Sequence, residues 1–217
     1  MVKSIRVWDL PTRLFHWGLA LSVAGAYISV KVGGNAIDWH ARFGYVALSL
    51  ILFRVIWGFV GPRYARFSQF VRGPAQVVAV LRGRSWGGLG HSPVGAVSVL
   101  LMLVVFGAQS VLGLFTTDEI AFDGPFVKSV SSRWVDLATS IHNQAEWWLV
   151  GLVALHVLAI IVHRVAHRHD LVRPMIVGDV FVAEDTPALP AHDNAGVRIK
   201  AMVIMAVCAG LVAYLSL

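Results

Sequence analysis

Four histidines lie inside or at the edges of long apolar stretches: His16, His40, His142 and His156. An ionisable side chain is costly in hydrocarbon, so its presence there marks a functional site by default. Neutral imidazole can do three things in such a place: ligate a metal, relay protons or hydrogen-bond a neighbouring helix. Spacing begins to separate these. His142 and His156 are fourteen residues apart, just under four helical turns, so they share a face and stand roughly 21 Å apart along the axis.

The stretches that carry them read as membrane spans. The chain has 217 residues, 57% hydrophobic and only 14% charged, too few charges to solvate a water-soluble surface. Crossing a hydrocarbon core of about 30 Å takes about 20 helical residues. Five segments pass that test, near 12–32, 40–60, 94–115, 142–164 and 197–217, the second interrupted by Arg54. The connections 61–93, 116–141 and 165–196 are loop-sized, leaving no room for a soluble domain. The opening "MVKSIRVWDLPTRLFHW" contains Asp9 and Pro11, and no small-residue cleavage site follows. It reads as a retained first span rather than a secretory signal.

Charge orients the spans. The 61–93 connection carries Arg63, Arg66, Arg72, Arg82 and Arg84 and no acid. The 116–141 connection carries Asp118, Glu119, Asp123 and Asp136 against Lys128 and Arg133, and Arg164, Arg168 and Arg173 follow the fourth span. The positive-inside rule then puts the N-terminus, 61–93 and 165–196 in the cytoplasm, and 116–141 and the C-terminus outside. The formal charge of +6 is explained by orientation, with no need of nucleic acid as a partner.

With this orientation the histidines pair by depth. His16 and His156 lie towards the inner surface, His40 and His142 towards the outer one. Two imidazoles from facing helices can grip an iron porphyrin from both sides, so two pairs make a ladder of two haems across the bilayer. The single cysteine, Cys208, excludes a C-x-x-C-H thioether attachment and thiolate iron–sulfur ligation, so both haems are non-covalent haem b. Two histidines per layer are too few for zinc without acids or thiolates beside them. The competing readings are helix–helix hydrogen bonding by single histidines and a proton relay in a haem-free scaffold or transporter.

Arg54 is fourteen residues after His40, near the inner pair in depth, where a buried arginine needs an anion such as a haem propionate. Arg13 and Arg42 are further propionate candidates, with snorkelling at the interface as the equal alternative. Gly18 beside His16 and Gly44 one turn from His40 leave room for a flat macrocycle or for close helix packing. His163 fits a quinone or propionate contact, or equally an interfacial basic cluster with Arg164, His167, Arg168 and His169. His91 and His192 fall in loops and receive no role.

These residues resemble a known family. "VWDLPTRLFHW" at the first span, "WHARFGYVAL…LFRVIWGFVGPRYARFSQFVRGP" through the second, and H-x13-H in the fourth followed by "DLVRPMIVG" are similar to the prokaryotic cytochrome b561 group. That group is related to the cytochrome b subunits of nickel–iron hydrogenases and formate dehydrogenases. The resemblance covers about residues 5–178. It implies a four-helix transmembrane bundle with two b haems, axial ligands at His16, His40, His142 and His156, and electron exchange between a quinone pool and a partner protein or small redox molecule. The expected fold is therefore an all-α membrane protein: a diheme bundle over 1–178, a cytoplasmic linker over 179–196 and an additional fifth transmembrane helix over 197–217. The last span departs from the family pattern; docking on the bundle, homodimerisation, partner binding and plain anchoring all suit it.

The expected function is electron transfer across a bacterial inner membrane, between a quinone and a periplasmic c-type cytochrome or oxidoreductase subunit. Several arginines near the inner haem and an acidic outer loop give the inner haem the higher expected potential, favouring flow from outside to inside. The alternative is a superoxide:ubiquinone oxidoreductase acting at the outer haem. An anionic substrate needs a positive funnel, and the net acidic outer loop instead suits docking of a basic carrier.

Overall fold

The computed structural model describes every residue of the chain except Ser85, Gly87, Ala121 and His167. His167, and with it part of the basic cluster expected beyond the fourth span, lies outside the described residues. The element order is β1 (Val2–Arg6), α1 (Leu10–Val32), α2 (Ile37–Val60), α3 (Phe67–Phe70), α4 (Pro74–Leu81), α5 (Pro93–Leu112), α6 (Ser132–Val165), α7 (Val172–Val177), β2 (Asp179–Ala183) and α8 (Ala195–Leu215). Among the described residues, four helical segments are long and apolar enough to cross a membrane: Gly34–Val60, Pro93–Phe115, Ser132–Val165 and Ala195–Leu215. None of the most apolar stretch of α6 is buried, and Leu155, Leu158 and Ile161 stand exposed along it. Such a surface needs lipid as its solvent. The molecule is a mostly helical, multi-pass membrane protein.

Several sequence expectations shift. α1 has the length of a span, at 23 residues, but Arg13, His16, Ser22, Ser29 and Lys31 dilute its apolarity, and it is not among the four. α6 begins at Ser132, ten residues before the expected start at 142, because polar residues are compatible with helix outside hydrocarbon. The all-α expectation is corrected by an antiparallel pair, β1 with β2, in the register Ile5 to Val180 and Arg6 to Asp179. The residues "DVFVA" include the β-branched and aromatic types that favour a strand, a signal too short to stand out in the expected linker.

Contacts group the chain into two compact units. One comprises Met1–Phe15, Arg54–Leu101 and Leu155–Val203; the other comprises His16–Phe53, Met102–Ala154 and Ile204–Leu217.

The first unit is organised by two buried carboxylates. Asp9 caps α1: its oxygens accept from the Thr12 backbone N–H (3.0 Å) and the Thr12 hydroxyl (2.8 Å). Asp9 also accepts from the indole N–H of Trp57 at 3.1 Å, and both side chains are fully buried. Burial pushes the Asp9 carboxyl up, against the opposing pull of the Thr12 and Trp57 donors. Asp193 is the second centre. It accepts from Arg6 at 2.9 Å and Arg198 at 3.0 Å, with Arg13 at 3.9 Å. Arg6 also pairs with Asp179 at 2.6 Å, so strand β1, strand β2 and the start of α8 are tied through one cluster. The second unit packs Leu48, Leu114 and Val212, with Tyr45, Leu52, Phe115 and Phe126 around them.

Burial alone would raise the Asp193 carboxyl, but the hydrogen bonds from Arg198 and the Leu10 N–H and the charges of Arg198 and Arg6 hold it below its usual value. A depressed carboxylate stabilises the fold above its unfolded pKa of about 3.9 and loses that contribution as pH falls through the folded value. Asp193→Asn should therefore cost roughly 1–2 kcal/mol near neutral pH. In thermal melts, the gap between wild type and variant should close as the pH is taken below about 4.

Candidate haem site

Within the second unit, α2 presents His40 and α6 presents His142, with ring centroids 5.9 Å apart and planes at 85°. Each ring is held from behind by a backbone carbonyl. His40 Nδ1 lies 2.9 Å from the Ala26 oxygen, and His142 Nδ1 lies 3.1 Å from the Gln109 oxygen. A carbonyl only accepts, so Nδ1 carries the proton in both rings and Nε2 keeps its lone pair. This is the arrangement in which an outer-sphere hydrogen bond fixes the tautomer and orientation of a ligating histidine.

Local sequence explains the approach. The side-chain amide of Gln109 donates to the His142 carbonyl at 2.9 Å, which fastens α5 to α6 twice at one level. Gly113 lets the His142 ring lie against α5, because a Cβ there would come within 3.1 Å of Cε1. Gly25 is seated on the Phe43 ring, which would stand 2.6 Å from an added Cβ, so α1 and α2 close together one turn from His40. Gln109 escaped the sequence reading; a lone amide in the apolar run "LVVFGAQSVLG" was the available signal.

An imidazole nitrogen binds a transition metal at about 2 Å, so two rings gripping one metal from opposite sides stand roughly 6 Å apart, centroid to centroid. The His40–His142 pair has that spacing. Among the described residues no group of three or more His, Cys, Asp or Glu could hold a metal ion. A metal held by this pair must bring its remaining ligands with it, as an iron porphyrin does.

The other expected site residues are distributed as follows. His16 belongs to the second unit and packs edge-on against Trp17, with centroids 5.1 Å apart; His156 belongs to the first unit, on α6. Arg54 is 2% exposed, enclosed by the rings of Phe15, Phe67 and Phe70 at 5.1–6.0 Å from Cζ. Its Nη1 and Nη2 have no hydrogen-bond partner among the described residues, and the Asp9 oxygens are taken by Thr12 and Trp57. Arg13 donates to the Ile176 carbonyl and leans on Asp193, which gives it a structural use. Arg42 lies 4.9 Å over the Trp39 ring. His163 turns back to its own helix, with Nδ1 2.8 Å from the Ala159 carbonyl. His91 sits between Trp8 and Phe70, at 4.7 and 4.4 Å between centroids.

Residues 7–178 match the family described as prokaryotic cytochrome b561. The chain belongs to that family. As a b561 cytochrome it is a membrane b-type cytochrome of electron transport, which implies haem b binding. Among curated proteins it is similar to the probable Ni/Fe-hydrogenase B-type cytochrome subunits of Azotobacter chroococcum mcd 1 (26% identity, 85% of this chain and 91% of the relative) and Azotobacter vinelandii (27%, 85% and 91%). The corresponding protein of Cupriavidus necator is 26% identical over 82% of this chain and 87% of its own length. No solved structure matches.

The packing of His142 on Gly113 gives a direct test. Gly113→Val places methyl groups where the ring now lies, so the variant should lose haem, measured as the haem-to-protein ratio of purified samples. Gly151→Val, with nothing near its Cβ position, should keep wild-type haem content.

Proposed function

We propose that this b561 cytochrome carries two haems and passes electrons between a quinone and a redox partner outside the cytoplasm. The observation that carries the reading is the His40–His142 pair, pinned through Nδ1 with both Nε2 atoms available as ligands. His40 and His142 would hold the outer haem, and His16 and His156 the inner one, in a bundle of α1, α2, α5 and α6 with α8 as a fifth span. The positive-inside distribution supports an inner-membrane placement with the N-terminus cytoplasmic and the C-terminus periplasmic. When bound, haem iron supplies one-electron transfer by cycling between ferric and ferrous states.

The chain's own residues set the conditions for that transfer. The Ala26 and Gln109 carbonyls make the outer imidazoles more basic ligands by accepting from Nδ1. Arg54 is a buried cation whose Nη1 and Nη2 find no acceptor among the described residues, a costly state unless an anion completes it. A haem propionate meets that need. The relatives' names point to a hydrogenase-type oxidoreductase as the outer partner, with a c-type cytochrome as the other candidate. Superoxide chemistry is not favoured, because Asp118, Glu119 and Asp123 are exposed and would repel an anionic substrate.

Two observables test this reading. A redox titration should resolve two one-electron steps, the higher belonging to the inner haem, the one removed by His156→Ala. Arg54→Met should lower that step by on the order of 60 mV, a tenfold change in a one-electron equilibrium, and leave the other in place. A higher outer potential would overturn the assigned direction of flow, and unmoved potentials would detach Arg54 from either haem.

A further inference from the structure

A second polar site lies in the first unit, where the end of α2 meets the start of α8. There a cleft of about 440 Å³ is lined by Trp57, Arg63, Arg66, His192, Val197 and Lys200, among others, and by no carboxylate. Lys200 is fixed at its edge: Nζ donates to the Val60 carbonyl at 2.7 Å and stands 5.9 Å from the Trp57 ring centre. Arg66 Nε is buried without a hydrogen-bond partner among the described residues. Neither Arg63 nor Arg66 is paired with an acid among the described residues, whereas Arg6, Arg13 and Arg198 all reach Asp193.

We infer that this cleft binds the phosphate-bearing headgroup of an anionic phospholipid. Three cations that face no acid among the described residues suit an anion of phosphate type, and guanidinium groups match its oxygens well. The surroundings select a lipid over free phosphate. Both helices that form the cleft are membrane-spanning by length and composition, so the cleft sits at the end of the apolar belt. Phe59 is 69% exposed and Val203 58% exposed. Val203 is three residues from Lys200, on the same face of α8, where acyl chains descending from a headgroup in the cleft would run. Basic pockets between membrane helices are suited to such headgroups. Leu189, His192, Val197 and Lys200 all lie beyond residue 178, outside the stretch that matches the family. The site is thus assembled by the additional C-terminal helix, which gives that helix a role: a lipid clamps it to α2.

The test uses the full-length cytochrome in neutral detergent, with bound lipid counted by native mass spectrometry and thermal midpoints measured in parallel. Phosphatidylglycerol should be retained and should raise the midpoint; phosphatidylcholine and millimolar inorganic phosphate should do neither. Each interfacial arginine is worth about fivefold in affinity, so the double variant Arg63→Gln/Arg66→Gln should bind phosphatidylglycerol on the order of 30-fold more weakly. Arg82→Gln/Arg84→Gln, which removes the same charge elsewhere in the loop, should bind as the wild type does. The lipid-free midpoint of each variant establishes that it is folded, and neither readout depends on haem. Equal retention of the two lipids, an equal loss in both double variants, or a full midpoint shift with inorganic phosphate would overturn the proposal.

Discussion

In a bilayer no water waits to satisfy a polar group, so each one must find its partner inside the protein. The chain obeys this almost everywhere. Ser22, Ser29, Ser49 and Ser110 each return their hydroxyl to the carbonyl four residues earlier, at 2.7–2.9 Å. Asp9 is saturated by Thr12 and Trp57, and Asp193 gathers the arginines around it. Against that background two departures stand out. His40 and His142 spend Nδ1 on carbonyls and leave Nε2 for something else, and Arg54 holds two guanidinium nitrogens in a ring of phenylalanines with no acceptor among the described residues. Each has the form of a site shaped for a group that the polypeptide does not supply, which is what the proposed haem ligation and the proposed propionate contact rest on.

Much of this was legible in the sequence because membrane physics is severe. Length and apolarity locate the apolar part of a helix closely, as with Ala195–Leu215 against an expected 197–217, since hydrocarbon admits few alternatives, whereas the polar first turns of α6 lay outside that signal. Depth alone put His40 and His142 at one level, and their ring centroids lie 5.9 Å apart; their role as a ligand pair is the proposal. What sequence could not give was set by tertiary contacts without periodicity. The β1–β2 ribbon depends on residues some 175 positions apart finding one register. The engagement of Arg13 by Ile176 and Asp193 depends on where the C-terminal segment returns. In each case the residue type was visible and its partner was not.

The C-terminal segment is accordingly more than a tail. Through Asp179, Ala191 and Asp193 it closes over the first strand: Ala191 N–H donates to the Arg6 carbonyl at 2.7 Å. Through Tyr64 and Lys200 it is fastened to the end of α2 and the loop after it, by bonds to the Leu189 and Val60 carbonyls. These polar links lie at the end of the helices, where side chains can be charged, while the spans themselves remain apolar.

The central claim is a two-layer ladder with one bis-histidine haem per layer. The most direct measurement is haem stoichiometry with the dithionite-reduced-minus-oxidised spectrum, for the wild type, His142→Ala and His156→Ala. Two b-type haems per chain, with each substitution removing a different one, is the result the account predicts. A single haem in the wild type, or a haem complement that survives both substitutions, would contradict it.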